Sequence, residues 1–280
     1  MMKVVGGTGW EPSAAVRAAL SPMLEHPDTT AIVTDFDGTI SPIVEEPGLA
    51  RPLDGAAEVV AALTRRFGVV AVVSGRPVSF LEERLLTGPE ELGRKGAGTR
   101  FVGLYGLEWS QGDGTVAVEP GAEQWRAVVD GVVVRLRSSA PPGVLVEPKG
   151  LAVTIHWRQA PDAAAWAAAA LAGEVERTGL RAHPGRMSTE LRPPMEVDKG
   201  SVVVRLIRGC TAACYLGDDL GDLPAFAALA AKATEDGLVT ASVAVVDNES
   251  AAAVAEAADV VVSGPKEALS VLRWLAHTTG

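Results

Sequence analysis

Cysteine is almost missing from this chain. Only Cys210 and Cys214 occur, four residues apart among small or apolar neighbours, which leaves no second pair for a zinc site and no disulfide framework. Both are expected to be buried thiols in a reducing compartment. Long apolar runs are also lacking, since no stretch reaches the roughly 18 residues that a membrane span needs. Positive charge is in short supply, with 25 Lys and Arg against 35 Asp and Glu and a formal net charge of -10. That leaves no broad basic surface for a nucleic-acid backbone, although a local Lys or Arg cluster can still hold one phosphate. The first residues carry one early lysine, Lys3, then a Gly-rich stretch and Trp10-Glu11-Pro12, which is not the plan of a signal peptide. A cytoplasmic protein without nucleic-acid or membrane partners is expected; its oligomeric state is open.

What the chain does have is core material: 280 residues with 48% hydrophobic content, enough for one large domain or two modest ones. Apolar runs at 31 to 34, 69 to 73 and 101 to 104 read as buried strands, with helical stretches near 55 to 66 and 78 to 86 between them. After Asp198 the alternation returns, with helices near 199 to 208, 222 to 232, 250 to 257 and 265 to 276, and strands at 212 to 216, 242 to 246 and 259 to 262. This rhythm predicts an α/β core with a doubly wound parallel sheet. Residues 108 to 194 follow another grammar. Trp125, Val128, Val129, Val132, Val133 and Leu136 fall at helical spacing, whereas Leu151, Val153, Ile155 and Trp157 alternate as in a half-buried strand. An Ala-rich helix near 162 to 172 and strands near 180 to 183 and 187 to 192 complete a helix, strand, strand, helix, strand, strand order. The expected organisation is a core of 1–107 and 195–280, with 1–30 as an N-terminal extension, and a smaller inserted α+β domain at 108–194.

Ligands of open parallel α/β sheets bind beyond the carboxyl ends of the strands. Those ends here deliver Asp35 and Asp37, then Ser74, Gly75 and Arg76, then Asp218, Asp219 and Asp222, while Lys199 opens the helix that re-enters the core. Carboxylates crowded at one edge repel unless a cation joins them, and an all-oxygen set suits Mg2+. A carboxylate beside such an ion can act as nucleophile and form an acyl-phosphate, with a second handling the leaving oxygen's proton. Lys199 and the Ser74 hydroxyl would neutralise and orient phosphoryl oxygens.

The motifs "DFDGT" (35 to 39), "VSGR" (73 to 76), Lys199 in "DKG" and "GDDLGD" (217 to 222) resemble, in order, the four motifs of the haloacid-dehalogenase-like phosphatases. The insert lies where members with a type 2 cap carry theirs. "YGLEW" (105 to 109), "VEPKGLAVTIHWR" (146 to 158), "STELRPPMEVDKG" (188 to 200) and "YLGDDLGDLPAF" (215 to 226) are similar to trehalose-6-phosphate phosphatases. The resemblance implies a Mg2+-dependent phosphatase of trehalose biosynthesis that hydrolyses trehalose 6-phosphate. It implies Asp35 as the phosphorylated nucleophile and a metal ligand, and Asp37 as general acid and then base, lending its carbonyl to the metal. Asp218 would ligate directly, with Asp219 and Asp222 nearby or acting through water. Ser74, Gly75 and Lys199 would hold the phosphate, and Glu147, Lys149 and Glu190 the sugar hydroxyls. Where the family often reads "GDDxTDEDAF", Gly221, Leu223 and Pro224 replace the Thr, Glu and second Asp.

Competing readings exist for each motif. An Asp-x-Asp alone also fits a solvated turn, Arg76 before Pro77 a surface helix start, and Glu147, Lys149 and Glu190 an exposed ion-pair cluster. His156 reads as a structural or solvent-facing residue, and His26, His183 and His277 lack metal-ligand spacing. The glycines of "VVGGTGW" are not a dinucleotide loop, because Trp10, Glu11 and Pro12 stand where its helix should start. Trp109, Trp125, Trp157 and Trp166 are expected to anchor the insert's core. The rival functions are a phosphatase of another sugar phosphate, such as sucrose 6-phosphate or a glycosyl-glycerate phosphate, a phosphomutase, and a catalytically silent sugar-phosphate-binding module.

Overall fold

A computed structural model describes residues 11–86, 98–185, 187–247 and 250–278; the Gly-rich stretch at 4 to 10 lies outside them. Among these residues the strands are, in chain order, β1 (Thr30–Thr34), β2 (Val69–Val73), β3 (Arg100–Gly103), β4 (Glu108–Ser110), β5 (Val116–Val118), β6 (Leu145–Pro148), β7 (Val153–His156), β8 (Arg181–Gly185), β9 (Ser188–Arg192), β10 (Ala212–Gly217), β11 (Val239–Val246) and β12 (Val260–Ser263).

Eight of them form one sheet in the order β12-β11-β10-β1-β2-β3-β4-β5, parallel from β12 to β3. β-Branched runs such as "TAIVT" in β1 and "VVAVV" in β2 suit a strand covered on both faces. Alternate residues serve opposite faces. Ile32, Val70, Val72, Cys214 and Leu216 pack with helices Ala56–Thr64, Val78–Leu85 and Gly264–His277. Ala31, Val33, Ala71, Val73 and Tyr215 pack with helices Lys199–Leu206 and Leu223–Asp236. Cys214 is buried as expected, but Cys210, in the turn before β10, is only half-buried. The chain leaves β1 toward β2 and β3 and returns at β10 on its other side, so the switch in winding falls between β1 and β10. No described helix is long and apolar enough to cross a membrane.

The second sheet is antiparallel, in the order β6-β7-β9-β8. Helices Arg126–Ser139 and Ala164–Thr178 cover one face of it, where Val129, Val132, Leu136, Val153, Ile155, Ala167 and Leu171 form a separate core. Trp125, Trp157 and Trp166 pack against that core, but Trp109 does not: it joins the cluster of the large sheet, and its indole N–H donates to the Gly106 carbonyl at 2.8 Å. A boundary at 108 also cuts the hairpin of β4 and β5 away from the sheet it extends. Glu108 stitches that hairpin to the core, its Oε2 accepting the Val78 N–H at 2.8 Å where helix Val78–Leu85 begins. We therefore propose that the inserted unit begins near Gly121 rather than at 108.

Candidate active site

Strand pairing brings the acidic motifs together. Thr34 at the end of β1 is level with Leu216 in β10 and Val72 in β2, so Asp35, Ser74 and Asp218 emerge at one edge. Asp35 is buried, and its N–H donates to the Leu216 carbonyl at 2.9 Å. Lys199 is buried too, with its ammonium 3.1 Å from Asp35 Oδ2 and 2.6 Å from Asp222 Oδ1. Placing a cation in the first turn of a helix opposes the helix dipole. The two carboxylates and the Asp198 cap, closed by a reciprocal pair of bonds with Ser201, offset that. Desolvation alone would pull the Lys199 ammonium down, but Asp222 and Asp35 outweigh it and raise it well above its usual range.

Asp222 holds the corner together. Its Oδ1 accepts from Lys199 and from the Tyr215 hydroxyl at 2.6 Å, and its Oδ2 accepts the Asp218 and Asp219 N–H groups at 2.9 and 3.1 Å. Space for these carboxylates depends on two glycines: a Cβ on Gly38 (φ +75) would meet Asp218 at 2.0 Å, and one on Gly217 would meet Asp222 at 2.3 Å. One oxygen each from Asp35, Asp218 and Asp222 lie within 4.8 Å of one another, and the Thr39 hydroxyl steadies Asp218 from 3.0 Å. Burial pushes the Asp35 carboxyl well above its usual range, Lys199 opposes this, and Asp222 and Asp218 add to it. Burial, then Asp222 and Asp219, raise Asp218 in the same way. An oxygen-only cluster whose charges repel is what a hard divalent cation relieves. Asp219 stands apart, exposed, with Oδ1 capping the Gly221 N–H at 2.8 Å.

Asp37 is engaged on both oxygens by Arg76, whose Nε and Nη2 lie 2.7 and 2.9 Å away. Arg76 is buried, so it is not the surface residue that its place before Pro77 allows. The Ser74 hydroxyl accepts the Arg76 N–H at 3.2 Å, which leaves its own proton for a ligand. Gly75 lies against the Tyr105 ring, and a Cβ there would sit 2.6 Å from the Tyr105 oxygen. Tyr105 and its neighbour Leu104 hold positive φ, 59° and 50°, a conformation costly for such side chains. Backbone bonds from their N–H groups to Ser74 and Arg76 hold them there.

Facing this edge is the uncovered side of the second sheet. Register places Glu147 opposite Thr154 and Thr154 opposite Glu190, so β6, β7 and β9 present a row on one face. Lys149 joins the row 2.8 Å from Glu190, which also accepts from Thr154 at 2.9 Å and from Arg192 at 2.5 Å. Burial would raise the Glu190 carboxyl, but Lys149 and Arg192 outweigh it and hold it at about 2. Glu147 bonds His156 at 2.8 Å and stands 3.4 Å from Arg76 of the core. The guanidinium of Arg192 stacks 3.3 Å from the Tyr105 ring centroid. Thus the three residues expected to meet sugar hydroxyls share one patch above the aspartate cluster.

Residues 33–260 match the family described as trehalose-phosphatase. The chain belongs to that family. A trehalose-phosphate phosphatase of Mycolicibacterium paratuberculosis is 36% identical over 214 residues, 73% of this chain and 51% of that protein. One of Mycobacterium leprae is 33% identical over 213 residues, covering 71% and 47%. The chain thus spans about half the length of the curated relatives it matches. Among solved structures, a trehalose-6-phosphate phosphatase related protein aligns over 88% of this chain and 96% of its own at 25% identity, with a TM-score of 0.71. The C-terminal domain of the Candida albicans trehalose-6-phosphate phosphatase shares the fold, at 22% identity and a TM-score of 0.72 over 96% and 99% of the chains.

Within this trehalose-phosphatase fold, the residues not foreseen as parts of the site are Thr39, Tyr105, Thr154, His156, Arg192 and Tyr215. Thr39 and Tyr215 sit inside or beside motifs that were already visible, and the alternation of "LAVTIHW" puts Thr154 and His156 on the polar face. Tyr105 opens the motif "YGLEW", but its place against Gly75 depends on a strained turn that no local pattern shows.

Proposed function

We propose that this chain is a Mg2+-dependent phosphatase that hydrolyses trehalose 6-phosphate to trehalose and phosphate. The observation that carries the reading is the row of Glu147, Thr154 and Glu190, with Lys149, set over the edge where Asp35, Lys199 and Asp218 converge. These groups pair with one another, so a ligand rich in hydroxyls can exchange for those bonds whereas one that lacks hydroxyls leaves them unmatched.

Asp35 and Asp218 would hold the metal, with the Asp37 carbonyl; Asp219 lies at its margin, and Asp222, already accepting four hydrogen bonds, orients Lys199 and the loop. When bound, the ion supplies positive charge to the phosphoryl oxygens. Asp35 attacks phosphorus as the bond to the sugar oxygen breaks, and Asp37, entering the step protonated with one oxygen released from Arg76, gives that oxygen its proton. Asp37 then takes a proton from water, whose oxygen attacks the aspartyl-phosphate, freeing phosphate and restoring Asp35. Lys199, the Ser74 hydroxyl and the Gly75 N–H hold the phosphoryl group meanwhile. The two free thiols suit a reducing compartment, and we place the chain in the cytoplasm.

The test is phosphate released with Mg2+ from trehalose 6-phosphate beside sucrose 6-phosphate, glucose 6-phosphate and p-nitrophenyl phosphate. Preference for trehalose 6-phosphate, lost on chelation and in Asp35→Asn, is expected. Preference for another sugar phosphate overturns the substrate, and full release by Asp35→Asn overturns the nucleophile.

A further inference from the structure

We propose that Arg76 is a positioning residue that couples the sugar-reading face of the insert to the proton-transferring carboxylate Asp37; this rests on the roles given above to Asp37 and Glu147. Arg76 spends its planar fork on three partners at once. Nε and Nη2 take the two oxygens of Asp37 at 2.7 and 2.9 Å, and Nη1 donates to the Pro47 carbonyl at 2.8 Å and faces Glu147 Oε1 at 3.4 Å. Behind it, the Phe80 ring lies 4.7 Å from the guanidinium carbon and meets Phe36, the residue between Asp35 and Asp37, edge to face. The guanidinium is thus pinned in plane and in depth, and the orientation of Asp37 follows from it.

The insert reaches this clamp through Glu147. Glu147 divides its oxygens, Oε1 toward Arg76 of the core and Oε2 toward His156 of its own sheet. A sugar bound at Glu147 therefore acts on the same guanidinium that orients Asp37, and the carboxylate is correctly set only when insert and core are in register. Lysine retains the charge but lacks the fork. A carboxylate displaced by about 1 Å costs around 100-fold in rate.

The experiment is a double-variant cycle on the whole chain with Mg2+ and trehalose 6-phosphate. Arg76→Lys is expected to lower kcat by about 10- to 100-fold while KM moves by less than about threefold. Glu147→Gln should lower kcat in the wild-type background but add less than about threefold in the Arg76→Lys background, because the two act through one contact. Losses that multiply, or an Arg76→Lys effect confined to KM, overturn the coupling. Should Arg76→Lys fail to give the wild-type circular dichroism spectrum, Glu147→Gln alone decides. A fall in kcat supports the coupling, and a change in KM with kcat kept overturns it. Wild-type release from a different sugar phosphate defeats only the substrate assignment, and the cycle is then read on that substrate. No release from any panel member defeats the phosphatase reading and the coupling together.

Discussion

Glu190→Gln exchanges one oxygen for an amide and removes the charge that Lys149 and Arg192 face at 2.8 and 2.5 Å. The carboxyl sits at about 2 against an ordinary 4.5. At about 1.36 kcal/mol per tenfold change in proton affinity, that difference is worth on the order of 3 kcal/mol to the fold near neutral pH. Removing one partner of a buried ion pair costs about 3–5 kcal/mol by an independent route. Between these pKa values the unfolded chain binds a proton that the folded one does not. The stabilisation is therefore complete above about pH 4.5 and is lost as pH falls toward 2. Urea unfolding followed by tryptophan fluorescence reads this, since Trp157 and Trp166 pack on the insert's core. At about pH 7 the variant should be less stable by roughly 3 kcal/mol, and at about pH 3 the gap should shrink to about half. A gap below about 1 kcal/mol, the range of exposed pairs, or one unchanged between the two pH values, would refute the reasoning.

Three other outcomes are expected. Mg2+ should raise the melting temperature of the wild type through binding to the folded state, and Asp218→Asn should abolish most of that rise; an equal rise in the variant removes Asp218 from the metal site. Tyr215→Phe, which strips one of four donors from Asp222, should cost about 1–3 kcal/mol in denaturant unfolding, and no measurable loss would mean that the hydroxyl is not needed there. Gly75→Ala drives a methyl to within 2.6 Å of the Tyr105 oxygen, so it should destabilise by about 1–3 kcal/mol and slow phosphate release. Unchanged unfolding and turnover would show that the ring yields freely.

Much of the core was legible because its strands are short, β-branched and bounded by turns, and because strand ends carry the chemistry in any such sheet. Asp35 and Asp218 can be placed at one sheet edge for that reason, whereas Lys199 opens a helix and is visible only through its motif. Strands of three residues carry no lasting alternation, so the sheet that β4 and β5 join is not visible locally; it depends on long-range pairing with β3 and on Glu108, which accepts the Val78 N–H thirty residues away. The place of Arg76 is hidden for a related reason: its partners lie 39 and 71 residues along the chain, beyond any local pattern. Small neighbours do not bury Cys210, because it ends a turn.

The row formed by Glu147, Thr154 and Glu190 has the geometry of a lattice. Neighbouring strands stand about 4.8 Å apart, and side chains on one face recur about every 6.6 Å along each strand, while the next position in the same row, across β9, is His183. Contact points above the aspartates can thus be reassigned only in fixed increments, comparable to the width of a sugar ring. On the proposed reading, a change of preferred sugar by substitution in this sheet would come as a discrete jump between grid points, with the residues at the aspartate edge left where they are.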